Sequence, residues 1–229
     1  MILILGAGVA GLSCALAVAR AGAHPVLVTP GAFAVSGAEA PVSASDAVLA
    51  GGNTAMAQGG IAAAVGAGDS PAAHAADTVA AGAGLVGAEG PRRPPTGGAA
   101  PVLTTGGAAA VRRLLAEGFP ADRASDGGIA LGLEAAHSRP RIVHAGEDRT
   151  GAALHAFLSA QTLALAAAGE VEIVEHSTAV SLLADSGAVV GAVLRDAGGR
   201  LSAVRAEAVV LATGGYAGLY PRTSNHPGA

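Results

Sequence analysis

The sequence predicts an α/β chain with a parallel sheet and a β-meander. Three observations carry that prediction. The first thirty residues read strand, glycine turn, helix, strand, with ILIL (2–5) and VLVT (26–29) as short apolar runs. Beyond residue 170 the apolar spacing shortens to that of strands, in five segments separated by tight turns. Apolar residues make up 51% of the chain but aromatics only 2%, beside 35 glycines, so the expected core is Ala, Val and Leu with backbones close together.

The elements follow in order. ILIL is an apolar run of the kind buried on both faces of a parallel sheet. Residues 10–21 form a helix closed by Gly22, and 26–29 a second strand, so a right-handed β-α-β crossover is expected. Residues 30–52 read as loop. Ser70 and Pro71 are an N-cap and a first helical position, opening a helix to about Ala81 that stops at Gly82. Residues 87–107, with several prolines and glycines, are expected to be a flexible surface insertion. Helices are then predicted over 108–117 and 150–168, ended by Gly118 and Gly169. The strands 171–175, 179–184, 188–196, 200–206 and 208–213 read as one parallel strand, a three-stranded meander and a final apolar strand.

Composition excludes several classes of function. A net charge of -4 without a basic cluster argues against nucleic acid. The single cysteine, Cys14, excludes an internal disulfide and a cysteine metal cluster, and reads as a packing residue of the first helix. Seven scattered histidines have no metal-ligand spacing, so no metal is expected. The N-terminal run lacks the basic n-region of a signal peptide and is broken by Arg20. No stretch reaches the roughly 18 uninterrupted apolar residues of a membrane span, so a cytoplasmic protein without a membrane partner is expected.

Gly6, Gly8 and Gly11 form G-x-G-x-x-G between the first strand and the first helix. Gly6 allows the tight turn, Gly8 lets backbone approach a pyrophosphate, and Gly11 lets the helix pack closely on the sheet. With Ala7, Val9 and Ala10, these residues place a helix N-terminus, and its unpaired N–H groups, at a dinucleotide phosphate. Ala15 and Gly22 extend the spacing to one that resembles the fingerprint of FAD-binding flavoproteins. One element departs from the pattern: an acid usually ends the second strand and binds the ribose, whereas Thr29 and Pro30 stand here. Thr29 is limited to a neutral hydrogen bond.

The stretch NTAMAQGGIAAAV (53–65), followed by GDSPAAHAADTVAAGAGL, resembles the flavin loop and following helix of the succinate dehydrogenase and fumarate reductase flavoprotein family. LEAAHSRPRIVHAGEDRTG (133–151) and VVLATGGYAGLYPRTSNHPGA (209–229) are similar to its substrate-side loop and its ATGG strand. The resemblance implies a Rossmann-like FAD-binding domain over 1–229, without the capping and C-terminal helical domains of the family. It places Asn53, Thr54, Ala55, Met56, Ala57, Gln58, Gly59 and Gly60 along the isoalloxazine and pyrophosphate. It places the backbone of Ala179 and Val180 at the adenine, and Thr213 and Gly214 beside the adenosine half. Asn53 stands where the respiratory members carry a histidine bonded to FAD, so non-covalent FAD is expected.

By the same resemblance, Glu134 orients the ammonium group of an amino-acid substrate, L-aspartate, while His137 and Ser138 line the flavin or substrate side. His144 belongs to the same segment, and either a site or a structural role fits it; Arg139 and Arg141 read mainly as surface arginines. The implied reaction oxidises L-aspartate to iminoaspartate with oxygen or fumarate as acceptor, and hands the product to quinolinate synthase as the first step of NAD synthesis. The chain stops at SNHPGA, before the family's Gly-Asp-Gly segment and its catalytic arginine, so no catalytic residue is assigned within it. It is expected to be inactive alone, with exposed apolar surface. The alternatives are a respiratory-type dehydrogenase or fumarate reductase, disfavoured by Asn53 and Glu134; a non-catalytic FAD-binding fragment; and a nicotinamide-dependent dehydrogenase, disfavoured by AQGG.

Overall fold

The computed structural model describes residues 1–33, 52–86 and 98–225. Most of the loop expected over 30–52 lies outside the described residues. The chain forms two compact units: one contains 1–57 and 151–229, the other 58–150.

The first unit is built on a parallel sheet. β1 (Ile2–Leu5), β2 (Pro25–Val28), β6 (Glu172–Val174) and β10 (Ala208–Leu211) lie in the order β10-β1-β2-β6. Every pair is parallel, with Leu3 level with Val26 and Val209. Alternation along the strands decides the layers. Leu3, Leu5, Val26 and Val28 pack against Ala192 and Leu194 of the meander. The meander is β7 (Ser177–Asp185), β8 (Ala188–Asp196) and β9 (Leu201–Arg205), paired antiparallel in sequence order.

Ile4 and Leu27 point the other way, toward α1 (Val9–Arg20), which packs on both strands. Its buried stripe is Leu12, Ala15, Leu16 and Ala19, the i, i+3, i+4, i+7 spacing of one helix face. Full burial of a leucine there contributes about 1.5–3 kcal/mol. Cys14 is half-buried on α1, and burial pushes its thiol pKa up. α4 (Thr150–Ala167) buries Leu154, Leu158 and Thr162, and its Gln161 accepts a 2.9 Å bond from Arg20 of α1.

The second unit pairs α2 (Pro71–Ala81) with α3 (Ala99–Ala116) and adds a small antiparallel sheet. Its strands are β3 (Ile61–Ala62), β4 (Leu131–Gly132) and β5 (Ile142–Val143), with β5 central. Ser70 caps α2 as expected, its hydroxyl accepting the Ala73 N–H at 3.1 Å.

The expected insertion over 87–107 is corrected in part. Residues 87–97 lie outside the described residues, but α3 begins at Ala99 rather than 108. Ala100, Thr104, Ala108 and Val111 form a buried stripe at helical spacing. Pro101 falls in the first turn, where its missing N–H removes no intrahelical bond. Tertiary burial of that stripe outweighs the poor propensity of Gly106 and Gly107.

No helix among the described residues is long and apolar enough to cross a membrane. Leu211, Tyr216, Leu219 and Tyr220, at and after β10, are exposed.

Candidate dinucleotide and substrate sites

The G-x-G-x-x-G turn sits at the carboxyl end of β1, between the ends of β2 and β10. The Gly6 N–H donates to Val28 O at 2.9 Å, and Gly6 has φ +112°. A Cβ on Gly6 would lie 2.3 Å from the Ala212 carbonyl oxygen. On Gly11 it would lie 1.8 Å from the Gly6 carbonyl oxygen, so Gly11 brings α1 against the end of β1. Gly8 is the N-cap of α1 and supplies no side-chain cap, and no acid stands in the first turn. By helix geometry the N–H groups of Ala10 and Gly11 have no intrahelical acceptor, which leaves the end electropositive.

Three contacts that sequence reading did not resolve hold this turn and the 52–57 segment beside it. The Val9 N–H donates to Thr54 Oγ1 at 3.1 Å, which ties the phosphate turn to the 52–56 helical turn. His155 of α4 donates from Nε2 to the Ala7 carbonyl at 3.1 Å, so its proton resides on that nitrogen. Gly151 donates to Ala57 O at 2.8 Å, and a Cβ on it would lie 2.0 Å from Thr54 O. Gly151 stands inside the quoted HAGEDRTG segment, where its adjacency to Thr150 was the only signal. His155 had no signal beyond its place in a helix.

Asn53, Met56, Ala57, Gln58 and Gly59 are exposed, while Thr54 and Ala55 are half-buried. Nothing lies within 4 Å of a Cβ position on Gly59. Gln58, Gly59 and Gly60 belong to the second unit, and Asn53 to Ala57 to the first. In the second unit the His144 ring lies against both Gly60 and Gly132.

Thr29 is buried; its N–H donates to Val174 O and its carbonyl accepts from Ser177, both at 3.0 Å. The β7–β8 ladder breaks its register between Ala179 and Ser181, which leaves Val180 outside the paired residues. Such a bulge removes a residue's backbone from the ladder, and Val180 is 47% exposed. Thr213 and Gly214 are exposed beyond β10.

The expected substrate-side residues lie in the second unit around a buried arginine. Arg141 is not a surface residue: its side chain is wholly buried. Its Nε and Nη2 each donate to Asp69 at 2.9 Å, and Nη1 donates to Asp77 at 2.6 Å. Burial alone disfavours its charge, but the two carboxylates outweigh that and raise its pKa.

Ser138 gives both its N–H (2.9 Å) and its hydroxyl (2.8 Å) to Asp77. The Ser138 backbone bond leads in lowering the Asp77 pKa to about 2, followed by the Ser138 hydroxyl and Arg141. Nδ1 of His137 lies 3.3 Å from Arg141 Nη1. A guanidinium has no acceptor, so Nδ1 accepts and a neutral His137 carries its proton on Nε2. The His137 ring lies 5.4 Å from that of His74, whose pKa is lowered, first by burial and then by Arg141 and His137. Glu134 is exposed, and its carbonyl accepts the His137 N–H at 3.3 Å. Among the described residues no cluster of His, Cys, Asp and Glu could hold a metal.

A parallel sheet with a glycine turn at an uncapped helix N-terminus defines a dinucleotide-binding α/β protein. Comparison with known proteins sharpens the class. Residues 1–229 match the family described as FAD binding domain. An L-aspartate oxidase of Caulobacter vibrioides is 42% identical over 222 residues, covering 96% of this chain and 38% of that protein. An L-aspartate oxidase of Streptomyces coelicolor is 39% identical over 229 residues, covering 98% and 34%.

Among solved structures, the Mycobacterium smegmatis Sdh1 complex in the apo form gives a TM-score of 0.80 at 27% identity, covering 98% of this chain and 36% of that one. An E. coli quinol fumarate reductase gives 0.76 at 26%, covering 98% and 34%. The chain belongs to the family of FAD-binding domains, and its cofactor is FAD. It spans about 38% of the length of the Caulobacter relative it matches.

Proposed function

We propose that this chain supplies the FAD-binding part of an L-aspartate oxidase, which converts L-aspartate to iminoaspartate with oxygen or fumarate as acceptor. The observation that carries the reading is 42% identity to a protein named L-aspartate oxidase, across 96% of this chain. When bound, FAD supplies a two-electron acceptor for the hydride leaving the substrate α-carbon. The chain's own part is to bind and orient. The N-terminus of α1 is uncapped and electropositive, which supports a pyrophosphate there. The bulge at Val180 supports the adenine contact expected of Ala179 and Val180.

Asn53 has no side-chain group that bonds covalently to a flavin, so the cofactor is held non-covalently. Glu134 is an exposed carboxylate suited to a substrate ammonium group. His137 keeps Nε2–H as a donor for a substrate carboxylate, while Asp77 accepts both bonds from Ser138 and so fixes the residue next to it. A cytoplasmic location and delivery of iminoaspartate to quinolinate synthase belong to the same proposal.

A second reading, a respiratory dehydrogenase or fumarate reductase flavoprotein, is favoured by the similarity to Sdh1. Acid precipitation separates the two. Released yellow flavin fits non-covalent FAD, and flavin retained in the pellet points to the covalent enzymes. Peroxide formation by FAD-loaded protein with L-aspartate, compared with succinate, then tests the substrate.

A further inference from the structure

The acid that usually receives the adenosine ribose at the end of the second strand is missing, and the neighbouring strand brings one to the same edge. β2 and β6 are parallel, with Val28 level with Val174. Their pairing continues beyond the strands. Thr29 N donates to Val174 O at 3.0 Å, Ser177 N to Thr29 O at 3.0 Å, and His176 N to Gly31 O at 3.4 Å. Glu175 therefore lies alongside Thr29, at the carboxyl edge of the sheet where parallel α/β proteins bind their ligands. Thr29 itself is buried, whereas Glu175 is exposed.

The Glu175 carboxylate is already oriented. Its Oε1 accepts the backbone N–H of Phe33, a residue whose side chain is buried. A carboxylate has about four acceptor sites, so this one bond fixes its direction and leaves others for incoming hydroxyl groups. Hydroxyl-to-carboxylate bonds are among the stronger hydrogen bonds, and a vicinal diol offers two.

We propose that Glu175 is the ribose-binding acid of this chain, receiving the adenosine diol of the dinucleotide in place of a residue at the end of β2. The proposal rests on the FAD reading of the glycine turn. It goes beyond the expected adenine contacts, which involve backbone alone.

The test compares FAD with a flavin dinucleotide whose adenosine is 2′,3′-dideoxy, by quenching of flavin fluorescence on the whole chain. The wild-type chain is expected to bind FAD about tenfold or more tightly than the dideoxy analogue, as expected for a hydrogen bond to a charged group. Glu175→Ala is expected to lose that preference, weakening FAD while leaving the analogue nearly unchanged. Glu175→Gln keeps an acceptor for the Phe33 N–H and should retain part of the preference, which covers the case in which the alanine variant fails to fold. Equal binding of the two dinucleotides by the wild-type chain, or equal loss of both in the variants, would overturn the ribose role and leave Glu175 as the anchor of Phe33. Failure of the wild-type chain to bind either dinucleotide would overturn the FAD reading, and this proposal with it.

Discussion

Arg141 decides the most at the scale of single residues. It sits wholly buried between two carboxylates, so removing either side strands a charge. Arg141→Ala is expected to destabilise the protein by about 3–5 kcal/mol, read from the denaturant midpoint. Asp77 gives a pH test of the same cluster. Its pKa is lowered from 3.8 to about 2, so the fold favours the ionised form. The stability this contributes is fully present above pH 3.8 and is lost as pH falls through about 2. The Asp77 carboxyl carbon, followed by NMR, should titrate near pH 2 in the wild type. It should titrate higher in Ser138→Ala, which lacks one of the hydroxyl and backbone bonds that hold the charge. The sequence placed Arg141 in the right segment but could not distinguish a buried arginine from an exposed one. Its partners, Asp69 and Asp77, lie far from it in sequence, and only the fold brings them together.

At the scale of elements, period and punctuation were legible wherever local signals and burial agreed. Pro71–Ala81 follows its serine cap and proline, and Ala188–Asp196 matches its expected range residue for residue. α3 was read short because Gly106 and Gly107 weigh against a helix, while the stripe that buries it becomes visible only against α2. The two-residue strands β3, β4 and β5 carry too few residues to show any period. The glycines of α3 yield a prediction. A Cβ on either would meet nothing within 4 Å. Gly106→Ala and Gly107→Ala should each stabilise the protein by about 0.5–1 kcal/mol, seen as a higher melting temperature.

For the whole molecule, the dinucleotide turn was legible because Gly6, Gly8 and Gly11 lie close together in sequence. Its supports were not: Thr54, Gly151 and His155 come from distant segments, and they are ordinary residue types in ordinary elements. FAD bound only by the folded chain should raise stability by about 2.7 kcal/mol at a hundred times its dissociation constant. A thermal shift that grows with FAD concentration, and is absent in Gly11→Ala, checks this. The bond from Gly151 to Ala57 carries one more consequence. Residues 58–150 leave and return to the first unit through two hydrogen-bonded neighbours, so the segment is topologically a single detour. A chain that takes the shortcut, with Ala57 bridged to Gly151 by a few glycines, needs no strand of the parallel sheet to be rethreaded. The detour is therefore a natural point for grafting: the connectivity of the parallel sheet does not depend on how long it is.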